Sequence, residues 1–522
     1  MNDPLQPEHP AVNRWIVAMS VMTATIMEVL DTTVVNVSLP HIAANLSATI
    51  EESTWVLSSY LVANAIVLPL TGWLASYFGR KRLLMTAVAG FTISSFLCGF
   101  AQSLPELIFF RVVQGISGGC LQPLSQAVLL ESFPVHERGK SMALWGVAAI
   151  IAPMMGPVMG GWVTENYSWR WVFYINIPIG ITSLTMLKLF LYDPPYIRRR
   201  SSRIDYWGIG LLAVGVGALQ MMLDKGQFED WFASDLILAL AVISASALIA
   251  FLVHEWVVPH PVLDLHVLKI RTFGAGVVLI TAVGFVLYGS TVLIPLLLQT
   301  LLGYPAVQAG LAMAPRGVGT AVAVAIVGRT VAKVDARKML ACGLCLSVWA
   351  LWDFSRLNLN AGYWDFFWPQ IVQGVALSLL FVPLTTATMA PIPKEEMGNA
   401  TSIYNLMRNL GGSLGIATVA TLLARRQQFH INTLGAAVTP YSSPTRATLE
   451  SARSLFISGG SDISTATQQS YSALFGIVQR QAAMLSFIEA FRLLAVLFVL
   501  MLPLLFLMKD PGRGPKGSGP AK

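Results

Sequence analysis

Charged residues make up only 12% of the 522 residues, against about 25% in an ordinary soluble domain. Hydrophobic residues make up 55%, and runs of roughly 20 apolar residues follow one another almost without pause, which excludes a soluble multidomain protein. Cysteine is nearly absent: Cys98, Cys120, Cys342 and Cys345 all fall inside apolar runs. Cys342 and Cys345 form a CxxC on an apolar helix with no third or fourth ligand, which reads as packing and not as a metal or redox centre. No GxxxxGK[ST] loop occurs, which argues against a built-in ATP motor. No nucleophile–base pair or metal-ligand spacing points to an enzyme, and neither cofactor nor metal is expected. The first fourteen residues are polar and the apolar run after them is too long for a cleavable signal peptide.

What the chain does have is fourteen apolar runs. They lie at approximately 15–38, 53–75, 83–102, 105–130, 141–163, 171–192, 206–223, 235–254, 273–297, 306–328, 339–356, 364–390, 400–423 and 489–508. In lipid such runs are helices, because nothing else satisfies the backbone. The fold class is therefore all-α and integral to the membrane. The formal charge of +7 reflects placement and not nucleic-acid binding. Arg80, Lys81, Arg82, Arg138, Lys140, the segment 196–203, Lys269, Arg271, Arg329, Lys333, Arg337, Lys338 and Lys394 share one side. The opposite short loops carry little beyond Arg170, Lys225 and Arg356. This bias places both termini in the cytoplasm.

The chain repeats itself. Gln114-Gly115 recurs as Gln373-Gly374, Gly139 as Gly398 and Gly156 as Gly415, all at one offset. Such a duplication predicts two six-helix bundles, the plan of many secondary transporters. The expected division is a first bundle over 1–192, a linker with two extra helices over 193–262, and a second bundle over 263–522. The hydrophilic loop 424–488 reads as a solvated lid or a docking surface. Within it, 439–446 reads as irregular, and 466–485 as an amphipathic helix entering the last span. The tail 512–522 has a disordered composition.

Several residues could carry function. Glu28 and Asp31 share a helix face in the first run. A carboxylate at membrane depth costs about 2.5–3.5 kcal/mol on insertion scales, so it usually faces a cavity with a task. Proton coupling or cation binding is one reading, a structural carboxylate the other. Arg111 could pair with either carboxylate, as part of a switch or as a bare strut. Pro153 and Pro157 each remove a helix hydrogen bond, while Gly156, Gly160 and Gly161 offer a face for close approach; kink and tight packing are both open. Gly72, Gly79, Arg80 and Lys81 form a turn that either follows the charge bias alone or clamps one side shut. Gln114, Asn36, Asn405, Arg408 and Asn409 are candidates for lining a substrate cavity. Arg316 is a further intramembrane charge without an assignable partner.

With these residues in hand, the chain resembles the fourteen-span drug:proton antiporters (EmrB/QacA type) of the major facilitator superfamily. The likeness runs nearly end to end and is most specific in LDTTVVNVSLP (30–40), FFRVVQGISGG (109–119), APMMGPVMGG (152–161) and WRWVFYINIPIG (169–180). GWLASYFGRKR (72–82) is similar to the superfamily's loop motif but has Ser76 where that motif usually carries an acidic residue. PLTGWLA (69–75), MLDKG (222–226) and PLLLQ (295–299) point to the EmrB branch. The resemblance implies Asp31 and Arg111 in proton coupling, and 156–161 as a segment associated with antiport. It also implies lipophilic small-molecule substrates, with a periplasmic membrane-fusion adaptor and an outer-membrane channel as partners. The expected function is proton-driven efflux across a bacterial inner membrane by alternating access; the competing expectation is a proton-coupled importer on the same fold.

Overall fold

A computed structural model describes residues 13–134, 137–193, 205–259, 261–331, 333–439 and 441–507. The basic linker 196–203 and the tail 512–522 lie outside the described residues. Every regular element among them is helical. The first six long helices are α1 (Arg14–Asn45), α2 (Trp55–Phe78), α3 (Arg80–Phe100), α4 (Leu104–Ser132), α5 (Arg138–Asn166) and α6 (Trp171–Phe190). They pack on one another, with α1 against α4, α5 and α6, and α4 against α2 and α3. Next come α7 (Tyr206–Lys225) and α8 (Asp235–Val257). The second group is α9 (Arg271–Leu301), α10 (Ala306–Thr330), α11 (Ala336–Phe354), α12 (Tyr363–Met389), α13 (Met397–Ala437), α14 (Ser443–Ser458) and α15 (Ile463–Met501). Its strongest packing joins α10 to α12 and α9 to α13.

Twelve described helices are long and apolar enough to cross a membrane. Helices α5 and α11 are not among the twelve, yet each is packed inside its bundle. The two groups meet along α2–α13 and α5–α10. The α7–α8 pair stands beside one of these seams, α7 touching both α2 and α13.

The segment 424–488 is more helical than the sequence reading has it: α13 runs past 423 to Ala437, and α14 occupies Ser443–Ser458. Residues 443–446 open α14, whose first turn holds Pro444. A proline there starts a helix, since that N–H would be unpaired anyway. The expected helix at 466–485 is present and continuous with the last span. At its start Asp462 accepts from the Ser464 and Thr465 backbone, and its bonding to Thr465 holds its carboxyl below the usual range. With 41 residues, α13 is about 60 Å long. That is twice a hydrocarbon core of about 30 Å, so α13 extends beyond any bilayer that its bundle spans.

Repeated glycines mark equivalent crossings. A Cβ on Gly115 would lie 2.4 Å from the Tyr60 carbonyl oxygen, and one on Gly374 would lie 2.1 Å from that of Arg316. Both clashes are with backbone inside one bundle, where overpacking typically costs about 1–3 kcal/mol and occasionally more. Gly115→Val is expected to lower the melting temperature of the detergent-purified protein or abolish its monodisperse elution. An unchanged melting curve would mean that the crossing has room.

Candidate functional site

Asp31 sits at the middle of α1, 1% exposed, and all its described partners come from α4 and α6. Arg111 Nη1 donates to Oδ2 at 2.6 Å. Oδ1 accepts from Gln114 Nε2 at 2.9 Å and from Asn176 Nδ2 at 2.7 Å. The Arg111 guanidinium is fully buried. It also donates to the Val56 carbonyl and the Gln114 amide oxygen, and lies 4.2 Å from the Tyr60 ring centroid. Taking two charges out of water is repaid only by good geometry and further hydrogen bonds. Here Arg111 Nε and Nη1 are engaged, while its buried Nη2 has no hydrogen-bond partner among the described residues. Removing the Asp31 charge would leave Arg111 without its counter-charge.

Glu28, one turn earlier, faces a different set. It accepts from Gln122 Nε2 at 2.5 Å, Asn64 Nδ2 at 3.2 Å and the Tyr60 hydroxyl at 3.5 Å. The Gln122 oxygen in turn accepts from Arg408 Nη2 at 2.6 Å, which crosses from α4 to α13. One amide thus stands between a carboxylate of the first bundle and a guanidinium of the second. One turn along, Asn405 Nδ2 donates to Gln126 Oε1 at 2.5 Å. Trp145 of α5 and Phe381 of α12 stack across the same junction at 5.2 Å, with Arg408 5.2 Å from the Trp145 ring.

Beyond the carboxylates, α5 closes onto α1. A Cβ on Gly156 would be 2.0 Å from Thr33 Oγ1, and one on Gly160 2.7 Å from the Val34 carbonyl oxygen. Gly161 is less crowded, 3.8 Å from Val37. The helix is continuous through Pro153, which is half-buried, and through Pro157, whose side chain lies outside the described residues. At the other end of α2, Gly79 takes φ +86° to turn the chain into α3. Arg80 pairs with Glu131, and Lys81 bonds Asp193 and the Lys188 carbonyl. None of these bonds reaches the second bundle. One contact between bundles at this end is made by Gly72, whose N–H donates to Ser402 Oγ at 3.0 Å; Gly139 of α5 and Gly328 of α10 also face each other's helices here. Ser76 spends its hydroxyl on the Trp73 carbonyl.

The sequence model of the Major Facilitator Superfamily matches residues 21–416. The chain belongs to that superfamily. It is 36% identical over 519 residues to the Multidrug export protein EmrB of Escherichia coli (strain K12), covering 99% of this chain and 100% of that protein. It is 38% identical over 508 residues to the Fatty acid resistance protein FarB of Neisseria gonorrhoeae, covering 97% and 98%. These similarities place it in the EmrB-type drug:proton antiporter family. The solved human organic anion transporter MFSD10 has the same fold, with TM-score 0.61 at 14% identity over 97% of this chain and 100% of that one. The chain is thus a multi-pass membrane transporter and not an enzyme.

In this major facilitator protein, Asp31, Arg111 and Gln114 come together, and Gln114 belongs to the carboxylate network with its oxygen and nitrogen both engaged. Asn405 is fully buried between bundles, and Asn409 is a secondary partner of Arg408 at 3.4 Å. Asn36 is exposed and makes no side-chain hydrogen bond among the described residues. Sequence reasoning missed Asn176, Tyr60, Asn64 and Gln126. Asn176 had a signal, as a lone amide in the apolar stretch 169–180. Tyr60 and Asn64 are a polar pair one helical turn apart.

Proposed function

We propose that the chain is a proton-driven exporter of hydrophobic or amphipathic small molecules, working by alternating access. The observation that carries this reading is the buried Asp31–Arg111 pair. It is joined through the Tyr60 ring, Glu28 and Gln122 to Arg408 in the opposite bundle. Gain or loss of one proton at Asp31 then alters contacts beside the glycine face of α5 and along a path that crosses between bundles. Bundles 1–192 and 263–522 rock about this junction, with 193–262 inserted beside the α2–α13 seam. Counting α5 and α11, fourteen helices cross the membrane.

The lysine and arginine bias puts both termini in the cytoplasm, and relatives named for multidrug export and fatty-acid resistance support an inner-membrane exporter. Because Gly72 touches Ser402 at the basic end, the conformation is closed toward the cytoplasm. The helices that extend from 424–488 are suited to meet a periplasmic membrane-fusion adaptor leading to an outer-membrane channel. One charge moving through about 100 mV supplies about 2.3 kcal/mol. At about 1.4 kcal/mol per decade, this sustains roughly a fifty-fold gradient of a neutral substrate.

Inverted vesicles energised to an acid interior are expected to accumulate ethidium and to release it on addition of a protonophore. Accumulation indifferent to the gradient would remove the proton from the mechanism. Uptake by right-side-out vesicles under an acid exterior would make the protein an importer.

A further inference from the structure

The repeat offset that carries Gln114 to Gln373 also carries Asp31 to Ser290 and Arg111 to Gln370. The geometry follows: Gln373 Nε2 donates to Ser290 Oγ at 3.2 Å, as Gln114 Nε2 does to Asp31. The Gly115–Tyr60 and Gly374–Arg316 crossings correspond as well, so Arg316 stands where the first bundle has Tyr60. The second bundle has therefore exchanged its carboxylate for a hydroxyl and its paired arginine for an amide. It has also gained a cation at a new position.

That cation is poorly satisfied. Arg316 is 3% exposed, and its only side-chain hydrogen bond among the described residues runs from Nη1 to Thr291 Oγ1 at 3.3 Å. Its Nε has no partner, nor do either amide atom of the fully buried Gln370 or the oxygen of Gln373. Arg316 makes no ion pair among the described residues. It lies about 15 Å along α10, near the middle of a hydrocarbon core of about 30 Å. A buried guanidinium without an anion is costly, and its planar fork matches a carboxylate bidentately. Neutral hydrophobic compounds would gain nothing from such a group.

We propose that Arg316, with Thr291 and the Gln370 amide, receives the carboxylate head of an acidic amphipathic substrate. The assignment deepens the export reading and rests on it. The bonded pair is Arg316 Nε–H and Nη–H to the two carboxylate oxygens, with Gln370 Nε2–H as a further donor.

The test uses the full-length protein in phosphatidylcholine nanodiscs, with laurate, its methyl ester and ethidium as probes. Arg316→Gln is expected to weaken laurate binding by roughly tenfold or more, as for loss of a charged hydrogen bond, and to leave the other two within about twofold. Arg316→Lys is expected to recover part of the laurate affinity, which separates charge recognition from misfolding. Equal weakening of all three probes would make Arg316 a structural strut, and unchanged laurate binding would remove it from recognition; either overturns the proposal. Loss of the Arg316-dependent laurate binding when phosphatidylglycerol replaces phosphatidylcholine would assign the site to a lipid phosphate and overturn the substrate assignment. Binding is read without a proton gradient. Failure of wild-type vesicles to accumulate ethidium would thus sink the export reading while leaving this result readable.

Discussion

Asp31→Asn abolishes proton-driven accumulation while the protein still inserts and elutes as a single species. The amide oxygen of the variant can go on accepting from Gln114 Nε2 and Asn176 Nδ2, at 2.9 and 2.7 Å in the native protein, so the local geometry has a template. What disappears is the charge opposite Arg111 and the only carboxylate in the pair. Arg111, fully buried, is then fixed beside a neutral partner whatever the pH. Removing one member of a buried pair costs about 3–5 kcal/mol, so a lower melting temperature is expected beside a retained fold. Gradient-driven ethidium accumulation in inverted vesicles should fall by roughly a hundredfold or more, since no coupled step remains. Exchange of substrate across the membrane without a gradient should be affected much less. Pumping at the wild-type rate would take Asp31 out of the mechanism.

Gly72→Val is expected to stop transport by a different route, through the switch between states. A Cβ on Gly72 would lie 2.8 Å from Asn399 Cα and N and 2.9 Å from the Gly398 carbonyl carbon. Those atoms are backbone and belong to the other bundle, so nothing at the contact can rotate away. The first bundle can still fold around the larger residue, because the clash arises only when the two bundles meet. Substituted protein should therefore be abundant and monodisperse, with transport reduced by roughly tenfold or more as the closed state is penalised by overpacking of a few kcal/mol. A cysteine introduced as Ser402→Cys, whose native hydroxyl accepts from the Gly72 N–H, should label faster from the basic-loop side in the Gly72→Val background. Normal transport with unchanged labelling would show that this end closes without the glycine contact.

Asp31, Glu28 and Arg111 were legible in the sequence because ionisable side chains are rare in apolar runs and stand out wherever they fall. Their partners were not. Glu28 and Asp31 are one turn apart on one face, yet Asp31 holds Arg111 and Glu28 holds Gln122. Gln114 looked like a cavity residue, and its position directly under Asp31 shows only when α4 is laid against α1. The turn with Arg80 and Lys81 reads either as charge bias alone or as a clamp shutting one side. Its described ties at Arg80 and Lys81 reach acidic groups and a helix end short of the second bundle, and a crossing contact comes from a glycine with no side chain to draw attention.

The sequence by itself determined the helical class, the approximate places of the twelve long apolar helices described above and the presence of charge within them. Each of these is a property of one segment at a time, dictated by the need of a backbone in lipid to satisfy its own hydrogen bonds. Tertiary structure alone decided which charge is paired, which amide links the bundles and that Arg316 has only Thr291 as a described side-chain hydrogen-bond partner. Those outcomes depend on the rotation and height of each helix relative to its neighbours. Small residues at the crossings set both, through close packing that no single segment encodes.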